Sequence, residues 1–244
     1  TKFLNSLDLL DFGALDQYGI GNEFITALIN AMKGQYLLSV DKNNQTVFHF
    51  VSKFSIISQE TMKLITETMK KIDKKNIENV INSRARNGET VSMAFAKAGN
   101  FVAIEYIAQL DNISFYNRDI VGENILHKII DNEKATNERI IICISLIIKK
   151  FPELILQRNR KNENSFMIAA KKGFNGVIGL MSTFYPTSFL DSSQEKSILH
   201  VAAENNQPET IRYIIQTLHV DVNVKSKEGC TPLHFASKTS SLDA

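Results

Sequence analysis

The chain has 244 residues, 43% hydrophobic and 22% charged, with a net charge of only +2. That balance is globular, not disordered, and too neutral to advertise a nucleic-acid or membrane-surface binder. Four Pro, 11 Gly and no Trp argue against a turn-rich all-β sandwich. The two Cys, 87 positions apart, make neither a disulfide framework nor a zinc site, which favours a reduced, cytoplasmic setting.

Taken in order, the elements begin with apolar Phe3, Leu4, Leu7, Leu9, Leu10 and Leu15, which carry no motif. Asn22–Lys33 then reads as a helix stopped by Gly34. Residues 1–36 are therefore expected to be degenerate N-terminal capping helices. The stretch "NNQTVFHFVSKF" (Asn43–Phe54) follows, and then a helix over Gln59–Ile72 with Met62, Ile65, Met69 and Ile72 on one face. After "KKNIENV" (Lys74–Val80) comes "NGETVSMAFAKA" (Asn87–Ala98), and a helix over Asn100–Leu110 with Phe101, Ile104, Ile107 and Ala108 on one face. "VGENILHKIIDN" (Val121–Asn132) leads through "NEKATNE" (Asn132–Glu138) into the apolar run Ile140–Ile148. That run is under half of the roughly 20 residues a bilayer needs, so it reads as a buried helix around Cys143. "KNENSFMIAAKK" (Lys161–Lys172) and "QEKSILHVAAEN" (Gln194–Asn205) come next. A helix over Glu209–Leu218 and "KEGCTPLHFASK" (Lys227–Lys238) complete the series.

Six of these stretches align without gaps. Their anchors are Thr46, Thr90, Asn124, Asn164, Ser197 and Thr231, spaced by 44, 34, 40, 33 and 34. The anchors are helix N-cap types, which accept a hydrogen bond from an unpaired first-turn amide. Pro232 sits where a first helical residue loses nothing by lacking an N–H. Small residues such as Ala169, Ala170, Ala202, Ala203 and Ala236 permit close helix approach. Two positions before the anchors stand Asn44, Gly88, Gly122, Asn162, Glu195 and Gly229. All but Glu195 tolerate the positive φ of a tight turn. The extra residues of the longer intervals fall in Lys74–Val80 and Asn132–Glu138, at loops that leave the stacked faces alone.

A period of 33 with T-P-L-H resembles the ankyrin repeat. The resemblance implies an all-α solenoid of stacked helix pairs with short β-hairpin loops, with six repeats over residues 37–244. The last repeat is truncated, and with Thr1 at the start the chain reads as a piece of something longer. The resemblance also implies a concave groove, lined by the tips and the first helices, that binds a protein partner. In register with the repeat this groove would hold Lys42, Lys53, Arg86, Lys97, Arg160, Lys161, Lys171, Lys172 and Lys227. It would be basic in repeats one, two, four and six and neutral to acidic in repeats three and five. Arg84, Arg118 and Arg158 recur six before their anchors and join the same charge register. An acidic protein segment is the partner such a stripe would steer, and solvated tips are the plainer alternative. Nucleic acid is disfavoured because Glu89, Glu123, Glu163 and Glu228 interrupt the stripe. Phe54, Ile120 and Val121 are apolar positions available should charge not carry the contact.

His49, His127, His200 and His234 share one repeat position, three after the anchor. A residue recurring once per unit is structural before it is catalytic, and the resemblance implies a bond across the turn and the helix start. No phosphate-binding glycine loop, metal-ligand motif or nucleophile elbow occurs, so no catalytic residue, cofactor or metal is assigned and the segment is read as non-enzymatic. The alternative is a targeting arm of an enzyme whose catalytic domain lies outside these residues. Richness in Asn, Lys and Ile with degenerate repeats is similar to the ankyrin effectors that intracellular bacteria inject into host cells.

Overall fold

The computed structural model describes residues 21–31, 37–54, 57–72, 76–133, 136–186 and 196–238. The chain divides into two compact units, Thr1–Lys134 and Ala135–Ala244. Every regular element among the described residues is helical.

In the first unit α1 (Gly21–Ala31) precedes α2 (Val47–Val51), α3 (Gln59–Ile72), α4 (Asn76–Ile81), α5 (Val91–Ala98), α6 (Phe101–Ala108) and α7 (Ile125–Asp131). Two rows result. The short helices α2, α5 and α7 pack in succession, and α1, α3 and α6 pack in succession behind them. The core between the rows is apolar, with Phe48, Ile65, Phe95, Ile104 and Ile129 fully buried. No helix could bury its own apolar stripe alone, so neighbours do it. Helix α4 forms within the expected insertion and closes it over α3 through Ile77, Val80 and Ile81.

The second unit holds α8 (Asn137–Ile148), a 3-10 turn (Pro152–Leu156), α9 (Ser165–Lys172), α10 (Asn175–Ser182), α11 (Ile198–Glu204), α12 (Pro208–Gln216) and α13 (Pro232–Lys238). The row α9, α11, α13 is backed by α8 and α10, with α12 against α11. Thr210 of α12 donates to Asn175 Oδ1 of α10 at 2.7 Å. Ala169, Ala170, Ala202 and Ala203 lie at the contacts of the front row, where a larger side chain would hold the backbones apart. Cys143 is wholly buried in α8.

The expected β-hairpins do not form: no strand exists among the described residues, and one isolated antiparallel bridge joins Arg84 and Thr90. Each tip is instead a tight turn closed on itself. The amide of Asp41 donates to Gln45 O at 3.0 Å and that of Asn44 to Asp41 O at 3.1 Å. The same two bonds recur at Ala85/Gly88, Asp119/Gly122, Asn159/Asn162 and Ser226/Gly229. The remaining main-chain groups of these turns go to the Asp or Asn side chain that opens the turn or to the neighbouring tip, not to a ladder. Asn44, Gly88, Gly122, Asn162 and Gly229 all have positive φ. Glu195, the capping residues 1–20 and the end of the sixth repeat beyond Lys238 lie outside the described residues.

Candidate partner-binding surface

The tips are rigid for local reasons. Asp119 Oδ1 accepts from the amides of Val121 and Glu123 at 3.0 and 2.8 Å, and Asn159 Oδ1 accepts from Lys161 and Glu163 at 2.9 and 3.0 Å. Neighbouring tips are joined as well: Arg86 N donates to Asn43 O at 2.8 Å, and Ile120 N to Asn87 O at 3.0 Å. Asn44 Nδ2 donates to the Arg84 carbonyl.

At the helix starts the four repeat histidines sit beside their anchors. The amides of Thr46, Asn124, Ser197 and Thr231 donate to Nδ1 of His49, His127, His200 and His234 at 3.1, 3.3, 3.1 and 3.1 Å. At His49 and His200 the accepting Nδ1 places the proton on Nε2, which faces Glu89 O at 3.4 Å and Cys230 O at 2.9 Å. Burial pushes both rings below the ordinary histidine pKa, although the carbonyl bonds act the other way. His219 is exposed, in a link with φ 56.

Arg84, Arg118 and Arg158 do not present bare charge outward. Each guanidinium folds onto its own tip, donating to Gly88 O, Gly122 O and Asn162 O at 3.4, 2.9 and 2.6 Å. The signal for this lay in the sequence: each Arg stands four residues before the positive-φ position. By contrast Arg86, Arg160, Lys161 and Lys227 are exposed at tips, as is Lys42. Lys53 follows α2 with its ammonium 4.5 Å from the Phe50 ring centroid. Lys97 pairs with Glu89 at 3.3 Å. Lys171 is exposed and Lys172 half-buried in the last turn of α9.

Two clefts open along the front rows, one in each unit. The first, about 340 Å³, is lined by Lys97, Glu123, Lys128, Asp131, Asn132 and Glu133. The second, about 480 Å³, lies between α9 and α11, and the structure brings Lys161 and Lys171 together there with Lys196. Lys128 and Lys196 belong to these clefts but not to the expected set. Lys128 donates to Asp119 and Glu123 at 2.8 and 2.6 Å. Burial alone would lower the Lys128 pKa, but the two carboxylates hold it above the ordinary lysine value. Burial likewise works to raise Asp119, and the bonds from Lys128 and nearby amides bring it below the usual carboxylate range. Lys196 pairs with Glu204 at 2.6 Å. Ile120 and Val121 are exposed as expected, whereas Phe54 is buried against Phe24, with ring centroids 6.0 Å apart.

Among the described residues no group of three or more His, Cys, Asp or Glu could hold a metal ion, and no helix is long and apolar enough to cross a membrane.

The family described as ankyrin repeats (3 copies) matches residues 166–244. Among curated proteins the chain is similar to alpha-latrotoxin-Lhe1a of Latrodectus hesperus, 24% identical over 124 residues, which is 47% of this chain. It is also similar to alpha-latrotoxin-Lh1a of Latrodectus hasselti, 27% identical over 111 residues, or 42% of this chain. The alignment spans only 8% of the length of either toxin. Among solved structures it resembles a chain from the complex of a predatory endopeptidase of Bdellovibrio bacteriovorus with its immunity protein. That match has a TM-score of 0.57 at 19% identity and covers 77% of this chain and 95% of the other. The ankyrin repeat domain of Bcl-3, a member of the IkappaB protein family, matches with a TM-score of 0.55 at 14% identity, covering 96% and 97%. The stacked helix pairs and the likenesses to solved structures give the chain the fold of an ankyrin-repeat solenoid, and the family model of ankyrin repeats matches its residues 166–244.

Proposed function

We propose that this domain is a protein-interaction module that receives an acidic segment of a partner protein on its tips and first-helix ends. One observation carries the reading. Arg86, Arg160, Lys161, Lys171 and Lys227 are exposed, yet none has a carboxylate within ion-pair distance among the described residues. Cations held on a rigid scaffold without internal partners favour an anionic one from outside, and they steer its approach. The likeness to a chain from an endopeptidase–immunity protein complex supports use of this fold in a protein–protein assembly. A second reading, a binding arm of a larger effector, is favoured by the small share of the latrotoxins that the chain matches.

The test is binding of fluorescein-labelled Glu-rich and Lys-rich dodecapeptides and a single-stranded DNA of equal length to the whole chain. The reading predicts that the Glu-rich peptide binds and weakens as salt rises, while the Lys-rich peptide does not bind. Preferential binding of DNA, or no binding of the acidic peptide, would contradict it.

A further inference from the structure

The two clefts differ in a way that net charge conceals. One before and seven after each anchor stand two residues that, in two of the repeats, pair with each other. In one repeat they are Glu89 and Lys97, paired at 3.3 Å. In another the signs are exchanged, with Lys196 and Glu204 at 2.6 Å. At Glu123 and Asp131 both are acidic, and Lys128 is drawn onto Glu123 and Asp119. In the cleft of residues 97–133, therefore, both cations already hold carboxylates, while Glu133 has no partner among the described residues. In the cleft of residues 161–205, Lys196 is neutralised by Glu204 and the carboxylate of Glu163 accepts from Asn159 Nδ2 at 3.1 Å, while Lys161 and Lys171 have no carboxylate within ion-pair distance among the described residues. Met167 and Val201 give this cleft an apolar floor. Arg158 Nη1 lies 3.6 Å from Met167 Sδ and holds that side chain in place.

We propose, resting on the acidic-partner reading above, that recognition is concentrated in the cleft of Lys161 and Lys171. Its occupant is a peptide that sets an apolar side chain over Met167 and Val201 between two flanking carboxylates. The volume of about 480 Å³ suits such an insertion. Two unpaired ammonium groups at the rim supply the attraction, and the concave wall concentrates their field. The cleft of residues 97–133 repels the same peptide, because its cations are committed and its spare charge is negative.

The experiment uses the whole chain and a fluorescein-labelled dodecapeptide of Glu with Leu at every fourth position. Anisotropy is followed at about 20 mM and about 300 mM NaCl, where screening lengths differ severalfold. Lys161→Glu/Lys171→Glu is expected to weaken binding by roughly tenfold at low salt, and Lys42→Glu/Arg86→Glu by less than about threefold. Unchanged urea midpoints certify that both variants fold. Equal weakening by the two double variants would overturn the localisation while leaving the acidic-partner reading intact. Failure of the parent chain to bind the peptide at low salt would overturn that reading and the proposal with it.

Discussion

The Nε2–H of His200 donates to the main-chain carbonyl of Cys230, 2.9 Å away and thirty residues further along the chain. The opposite ring nitrogen accepts from the Ser197 amide at 3.1 Å. One neutral imidazole thus closes a helix start and ties it to the next turn, and the ring edge also packs on Phe235 at 5.1 Å. Replacing His200 with Ala leaves the Ser197 amide and the Cys230 carbonyl without these partners. The expected loss is about 1–3 kcal/mol of unfolding free energy, read by urea denaturation. His219→Asn, at an exposed position with φ 56 that Asn tolerates, should stay within about 0.5 kcal/mol of the parent.

The same geometry fixes a pH dependence. A protonated ring has no lone pair for the Thr46 or Ser197 amide, and burial opposes its charge, so His49 and His200 titrate lower in the folded chain than in the unfolded one. Below the unfolded value of about 6.5 the unfolded chain binds more protons at these rings. Their contribution is therefore fully present above that pH and is lost as pH falls from there through the folded values. Urea midpoints measured across this window should decline on acidification. The decline should be shallower in His49→Gln/His200→Gln.

Two glycines with nearly equal backbone angles should respond unequally to a methyl group. Gly88 has φ +76, and an added Cβ would lie 3.0 Å from Asp119 Cα and 3.1 Å from Ile120 N, both backbone atoms of the next tip. Gly229 has φ +78 and nothing within 4 Å. Gly229→Ala carries only the left-handed strain, about 1–2 kcal/mol. Gly88→Ala should cost clearly more, because the tip-to-tip contact must also shift. Equal melting temperatures for the two variants would contradict the packing of these tips.

Lys128 and Lys97 make another contrasting pair. The Asp119 side chain is only 4% exposed, and Lys128 is its ion-pair partner. Lys128→Met strands that carboxylate and should destabilise by about 3 kcal/mol. Lys97 is 66% exposed, so Lys97→Met should cost less than about 1 kcal/mol. Thermal denaturation of the two variants checks the order.

Local chemistry made much of the fold legible. Thr90, Asn124 and Asn164 begin helices because their own side chains accept the Met93, His127 and Met167 amides. Asn44 and Asn162 mark turns because they adopt positive φ. What could not be read depends on where long side chains turn. Arg84, Arg118 and Arg158 recur in register like a charged stripe, yet they fold back onto tip carbonyls. Lys196 is not legible from the register, because the position before the anchor is acidic in Glu89, Glu123 and Glu163 and the exchanged pair with Glu204 breaks that pattern. Helix α4 was legible in principle, since Ile77, Val80 and Ile81 have helical spacing, but it lies in residues that the repeat pattern treats as excess. The hairpins were overestimated because a positive-φ turn signal does not say whether its flanks are long enough to pair.

The most direct test of the central claim, that unpaired cations receive an acidic partner, is the association rate of the Glu/Leu dodecapeptide. It is measured by stopped flow over a range of ionic strength. The parent chain is compared with Arg86→Glu/Arg160→Glu/Lys171→Glu/Lys227→Glu, whose side chains lie outside the packed faces. Arg86 and Arg160 can hold a carboxylate with two parallel bonds, so their reversal removes more than charge. The account predicts that the fourfold variant associates at least roughly tenfold more slowly at low salt and loses most of the salt dependence. A variant with the parent's rate and the parent's salt dependence would contradict it.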